Sequence, residues 1–172
     1  MKYYSYYGIK EFIICGGYKV EQIKKFFTNL NFFINDIEIN YQTDEISLLT
    51  KNSLDWKVKV VNTGLKTMTG GRLKKIKKYI DKDETFFLTY GDGLSNVNIN
   101  SLKKHHLQSN KTCTMTIVIP PGRYGAVETK KNIVTKFKEK QEDKSKFING
   151  GFFVLNYKIF NYIQGSQTIF ED

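Results

Sequence analysis

The residues best able to do chemistry stand where apolar, strand-like runs stop. In TYGDGL, Asp92 follows the run at residues 85–90 and has a glycine on each side. In an open parallel sheet, ligands gather at the carboxyl ends of the strands. An uncrowded carboxylate there can ligate a hard cation such as magnesium and still let a phosphate approach. GDG is equally good turn chemistry, and both readings stand at this point. The second place is TGLKTMTGGRL, residues 63–73. Its glycines allow close backbone approach, the first N–H groups of a following helix point outward, and Arg72 falls in the first turn, where an anion is favoured. Together with Thr67 and Thr69, Arg72 could hold a nucleotide, although a Gly-Gly pair before a helix also serves as a plain connector.

A third group is spread over PPGRYGAVE, KFKEKQ and FINGGFFVLN. These place Arg123 and Gly125 at a turn, Glu139 beside Lys140, and Asn149, Gly150 and Gly151 at the edge of an aromatic strand. An adjacent carboxylate and ammonium can share a polyhydroxylated phosphate ester, the carboxylate accepting from hydroxyls and the lysine countering phosphate charge. A lysine-rich strand end is the plainer alternative. Other constellations fail. His105 and His106 are helix neighbours about 100° apart, which makes no metal pair. No GxSxG, HExxH, GxxxxGK[ST] or GxGxxG motif occurs.

The elements that must position these residues follow from periodicity. Short strands are expected at residues 11–15, 37–41, 46–49, 56–62, 85–90 and 112–119, with further strand-like segments at 124–129, 133–137 and 152–155. Helices are expected at 20–30, 70–80, 99–108 and 158–163, the third with Asn98 or Asn100 as N-cap. In GGRLKKIKKYI, Leu73, Ile76 and Ile80 fall on one face while Lys74, Lys75, Lys77 and Lys78 fill a solvated one. The runs FIIC, KVVN, FFLTY and TMTIVI read as buried strands, and Phe12, Phe26, Phe86, Phe87, Phe137 and Phe153 fall on apolar faces that pack the core. Strands alternating with helices indicate β-α-β units, hence an α/β fold with a mostly parallel central sheet covered on both faces, a Rossmann-like three-layer sandwich.

Composition narrows the class. The chain has 172 residues, a formal net charge of +10, a 40% hydrophobic fraction, 13 Phe and 11 Tyr, which is too apolar and aromatic for disorder and suits one domain over residues 1–172. No apolar run approaches the roughly 20 residues that cross a bilayer, so no membrane partner is expected. The basic charge lies on helix faces of the lysine-rich kind, a solvated-face pattern rather than a nucleic-acid footprint. Cys15 and Cys113 stand outside any CxxC spacing, which fits a reduced, cytoplasmic compartment.

In order and spacing, GIKEFIICGGYK, WKVKVVNTG, TMTGGRLKKI, FFLTYGDGL, IPPGRYGAVE, FKEK and INGGFFVLN resemble the sugar-1-phosphate nucleotidylyltransferases, in the branch that joins CTP to glucose 1-phosphate. The resemblance runs from about Gly8 to Asp172. It implies the nucleotide-diphospho-sugar transferase fold and a reaction in which the sugar phosphate attacks the α-phosphorus of CTP, giving CDP-glucose and pyrophosphate with Mg2+. By motif, Asp92 resembles a magnesium-binding, catalytic carboxylate. Thr67, Arg72 and Gly91 resemble nucleotide contacts, Arg72 being catalytic as well. Gly125, Glu139, Lys140, Asn149, Gly150 and Gly151 resemble the hexose-phosphate side. CTP is favoured over dTTP or UTP because TMTGGR stands where relatives using those nucleotides carry a Gln-containing loop. The resemblance also implies a homo-oligomer at full length, a role in nucleotide-sugar and surface-polysaccharide synthesis, and no nucleic-acid partner. Its LAGGxGTRL-type loop and a second magnesium-binding Asp have no counterpart here, and Gln141 replaces the proline of an EKP motif. The expectation is therefore an internal portion of such an enzyme, with a non-catalytic remnant or subunit that keeps sugar-phosphate binding, or a nucleotidylyltransferase using another nucleoside triphosphate, as the alternatives.

Overall fold

The computed structural model describes residues 1–82, 84–120, 126–138 and 147–172. The chain divides into two compact units, one formed by residues 1–82 with 158–172 and the other by residues 83–157.

The first unit is built on β1 (Glu11–Gly16) and β4 (Lys57–Asn62), paired in parallel from Glu11 opposite Lys57 to Gly16 opposite Asn62. This is the register that the β-α-β reading requires. Between them run α2 (Val20–Thr28), α3 (Leu30–Ile34) and the hairpin of β2 (Ile37–Asn40) with β3 (Glu45–Leu48). The short helix α1 (Lys2–Tyr6) precedes β1, and α4 (Thr69–Ile76) follows β4. The helix expected at residues 20–30 ends early because Asn29 leaves helical geometry (φ −99°, ψ 8°) and its side-chain amide donates to Lys25 O at 2.7 Å. Tyr4, Val20, Leu73, Ile76, Ile80, Phe160 and Ile163 are buried in this unit. Leu73, Ile76 and Ile80 are thus the inward stripe that their spacing predicts, each such side chain contributing about 1.5–3 kcal/mol by leaving water.

The second unit holds β5 (Thr85–Thr89), α5 (Ile99–Ser109), β6 (Cys113–Val118) and β9 (Ile148–Asn156), with the hairpin of β7 (Ala126–Lys130) and β8 (Ile133–Lys138). β9 lies between β5 and β6 and runs antiparallel to both, so β5 and β6 point the same way. Asn98 caps α5, accepting from Ser101 N at 2.9 Å, and Asn110 ends it in the left-handed region at φ 51°. Phe152, Phe153, Val154, Leu155 and Ile99 are the buried hydrophobic residues here, and His106 is buried with them.

Three expectations are corrected. The TMTIVI run is not buried: Met115, Ile117 and Val118 of β6 are exposed, in a strand that, among the described residues, pairs with β9 alone and breaks register between Met115 and Ile117. Of the six phenylalanines assigned to the core, Phe26 and Phe137 are exposed. Phe26 stacks on Phe33 at 5.6 Å and meets Phe27 edge-on, forming a surface aromatic cluster instead. The last helix is a 3-10 helix, Tyr157–Asn161, that buries Phe160.

Candidate functional site

In the first unit the sequence-marked residues converge just past the carboxyl ends of β1 and β4. Thr63, the residue after β4, is completely buried. Its N–H and its hydroxyl both donate to Gly16 O, at 2.8 and 2.7 Å, which splices the two strand ends together. Its hydroxyl oxygen accepts from Arg72 Nη1 at 2.6 Å. Arg72 also donates to Gly16 O at 3.3 Å and to Leu65 O at 3.4 Å.

The loop between β4 and α4 is closed by side chains that the sequence reading treated as free. Thr67 is buried, and its hydroxyl donates to Thr63 O at 2.6 Å. Lys75 donates to that same carbonyl at 2.7 Å and to Thr67 Oγ1 at 3.2 Å. Gly64 turns this loop at φ +91°, a conformation that glycine adopts at no steric cost. Lys74 donates to Ile163 O and Gln164 O at 2.6 and 2.7 Å. Of the four lysines expected on a solvated face, Lys77 and Lys78 fall in the 3-10 turn Lys77–Tyr79 that follows α4, and the two in α4 itself are engaged by backbone carbonyls. No periodicity argument finds them, because the face a lysine occupies does not reveal which carbonyl ends nearby.

The start of α4 differs from its sequence expectation. Met68 N donates to Ser166 O at 2.9 Å, and Gly71 N to Thr168 O at 3.1 Å. A Cβ on Gly71 would collide with Ser166 O, and one on Gly70 would lie 2.9 Å from Thr168 O. Thr69 Oγ1 donates to a Glu171 carboxylate oxygen and accepts from Phe170 N. The Gly-Gly pair admits the segment at residues 163–171 rather than leaving these N–H groups outward for an anion.

Cys15 stands next to this cluster at the end of β1. Burial pushes its thiol up to about 11, with the Arg72 charge opposing. It is thus protonated near neutral pH and unsuited to nucleophilic attack.

In the second unit, Asp92 is exposed in the turn after β5. A Cβ on Gly91 would meet nothing within 4 Å, so the turn is open on that side. Gly93 N donates to Tyr90 O at 3.3 Å. Tyr90, not singled out in the sequence, connects this turn to β9. Its hydroxyl accepts from Asn149 Nδ2 at 3.0 Å, and its ring meets Phe153 edge-on at 5.9 Å. A side chain on Gly151, which sits at φ +76°, would come within 2.9 Å of the Tyr90 ring, while one on Gly150 would lie 3.0 Å from Thr116 O. Asn149 Oδ1 accepts from Gly151 N at 2.7 Å. The spacing TYGDG…INGG thus encodes one interlocked turn and strand. The only sequence signal for Tyr90 is its place directly before GDG.

Gly125, Glu139 and Lys140 lie outside the described residues. Among the described residues, no group of three or more His, Cys, Asp or Glu could hold a metal. A single exposed carboxylate in an open turn does suit magnesium, which takes one or two protein carboxylates and completes its shell with phosphate and water. No helix among the described residues is long and apolar enough to cross a membrane.

Residues 4–169 match the family described as Nucleotidyl transferase. The chain is 40% identical over 171 residues to a glucose-1-phosphate cytidylyltransferase of Salmonella typhimurium, covering 99% of this chain and 66% of that protein. It is 39% identical over 173 residues to a probable glucose-1-phosphate cytidylyltransferase of Bacillus subtilis, covering 100% and 67%. The chain spans about two thirds of the length of these curated relatives. Among solved structures it is similar to HddC from Yersinia pseudotuberculosis complexed with GMP-PN, with a TM-score of 0.65 and 21% identity over 99% of this chain and 67% of that one. At that identity the likeness speaks for the fold, and it is the α/β nucleotide-diphospho-sugar transferase fold.

Proposed function

We propose, since this chain belongs to the nucleotidyl transferase family, that it serves the transfer of a cytidylyl group from CTP to glucose 1-phosphate, giving CDP-glucose and pyrophosphate. The observation that carries this reading is the 40% identity, over nearly the whole chain, to a glucose-1-phosphate cytidylyltransferase. The geometry supports it in kind. A turn-rich loop fixed at the carboxyl ends of parallel strands and leading into a helix that carries an arginine suits a nucleotide.

A phosphate oxygen of glucose 1-phosphate attacks the α-phosphorus of CTP, and the bond to pyrophosphate breaks. Little covalent chemistry falls to the protein, so alignment and charge neutralisation carry the rate. In the first unit, Arg72 is the cation that offsets phosphate charge, and Thr67 shapes the loop on which the nucleotide rests. In the second unit, Gly91, next to Asp92, is a nucleotide contact by motif. Asp92 is the carboxylate that would hold magnesium, which when bound supplies neutralisation of phosphate charge. Asn149, Gly150 and Gly151 present the strand edge for the hexose phosphate. Gly125, Glu139 and Lys140 join that side by motif. A homo-oligomeric, cytoplasmic enzyme of nucleotide-sugar and surface-polysaccharide synthesis is the setting that this reading implies.

The test is pyrophosphate release by the chain given glucose 1-phosphate and magnesium with CTP, dTTP or UTP in turn. Fastest release with CTP is expected. Equal turnover with dTTP would sink the nucleotide assignment, and no release with any nucleotide would sink the reaction.

A further inference from the structure

We propose that Thr63 is a positioning residue, whose buried hydroxyl locks the Arg72 guanidinium in one orientation over the end of β1 for its meeting with the nucleotide. The ligand part of this inference rests on the reaction proposed above; the lock itself rests on geometry alone.

A threonine hydroxyl has one proton and two lone pairs. Here the proton goes to Gly16 O at 2.7 Å, because a carbonyl can only accept. The oxygen is left as an acceptor, and Arg72 Nη1 fills it at 2.6 Å. Both donor and acceptor roles are thus assigned; Thr63 is 0% exposed, while Arg72 is half-buried.

The guanidinium is also held sterically. A Cβ on Gly17 would collide with Nη1 and come within 2.6 Å of Nη2 and 2.8 Å of Cζ. The missing side chain at Gly17 is therefore the space that the guanidinium occupies. Among the described residues, Arg72 meets the oxygens of Thr63, Gly16 and Leu65. A guanidinium carries five N–H donors in a rigid fork, so donors remain for a phosphate once these bonds have set its plane.

Thr63 has a second role in the same geometry. Its carbonyl receives Thr67 Oγ1 and Lys75 Nζ, so the residue that orients Arg72 also anchors the loop beside it. That backbone role survives any side-chain substitution, which lets the hydroxyl be tested separately.

The experiment compares the full chain with Thr63→Ser, Thr63→Val, Gly17→Ala, Arg72→Lys and the Thr63→Val/Arg72→Lys pair. Each variant is first checked for a cooperative thermal transition. The first readout is the nitrogen-15 spectrum of the arginine side chains, in which a locked guanidinium gives resolved Nη signals and a rotating one gives an averaged signal. The second is CTP affinity by calorimetry with magnesium present. Thr63→Val should average the Arg72 signals and weaken CTP by roughly tenfold, the loss expected for one hydrogen bond to a charged group. Thr63→Ser should preserve both. The three atoms nearest a Cβ on Gly17 all belong to the flexible end of Arg72, so Gly17→Ala should reproduce both effects in a folded chain even if Thr63→Val does not fold. In the Arg72→Lys background, adding Thr63→Val should change CTP affinity by less than about twofold, because the residue it acts through is gone. Resolved Arg72 signals in Thr63→Val would overturn the proposal. So would averaged signals with unchanged CTP affinity, or an equal loss of affinity in the Arg72→Lys background. If the unaltered chain does not bind CTP, the proposed reaction falls. The signals then decide the lock alone: averaged in Thr63→Val and resolved in Thr63→Ser supports it, and resolved in both overturns it.

Discussion

The Tyr90 hydroxyl accepts from Asn149 Nδ2 at 3.0 Å, and the same ring occupies the space that a side chain on Gly151 would need. One aromatic residue thereby ties the Asp92 turn to the strand edge that carries the second glycine pair. Tyr90→Phe keeps the ring contact and removes the hydrogen bond, so it should cost about 1 kcal/mol. Gly151→Ala meets both a left-handed backbone at φ +76° and the ring at 2.9 Å, and should cost more, about 1–3 kcal/mol. Urea titrations of the two variants check the order. Equal midpoints for Gly151→Ala and the parent would show that Tyr90 does not constrain this strand.

Asp92→Asn keeps the shape of the turn and removes its charge. Because Asp92 is exposed, stability should stay within about 0.5 kcal/mol of the parent. Pyrophosphate release at limiting magnesium should fall by about two to three orders of magnitude, as when a charge-stabilising group is removed from a transfer reaction. A near-normal rate would reduce GDG to a turn.

Gly71→Ala drives a methyl group into Ser166 O and places it 2.7 Å from Ser166 Cα. Backbone cannot rotate out of the way, so the segment at residues 163–171 must separate from α4, at about 1–3 kcal/mol. Faster hydrogen exchange at Gly71 N and Met68 N is expected, since those N–H groups donate to Thr168 O and Ser166 O. Gly165→Ala is the control, with open space for its Cβ. Unchanged exchange in Gly71→Ala would mean that the segment is not held by this contact.

His106 gives a pH signature. It is buried, and its Nδ1 pairs with Thr114 Oγ1 at 2.8 Å. Burial lowers its pKa below the ordinary 6.5. The unfolded chain then takes up the proton more readily than the folded one, so the stabilising contribution is present above about pH 6.5 and is lost as pH falls through the depressed folded value. Melting temperatures from pH 7.5 to 5 should decline less steeply in His106→Gln than in the parent. Parallel slopes would assign the acid sensitivity elsewhere.

The sequence determined the elements and the chemistry that ends them. The stripe of Leu73, Ile76 and Ile80, the cap at Asn98 and the parallel strands around FIIC and KVVN are local or periodic features, and residue type with spacing is enough to read them. Asp92 and the TMTGGR loop were legible for the same reason, since glycines beside a carboxylate or an arginine mark a strand end. Tertiary structure alone decided what these residues touch. Thr67 and Lys75 turn inward onto Thr63 O, Gly70 and Gly71 admit Ser166 and Thr168, and Tyr90 locks onto Asn149 and Gly151. Each joins positions that are remote in sequence or set by a loop's path, and a hydrogen bond's partner depends on that path, not on the residue's own type. Burial of Phe26, Phe137 and the TMTIVI strand was misread for a related reason: apolar character favours burial, but only a neighbouring element can provide it.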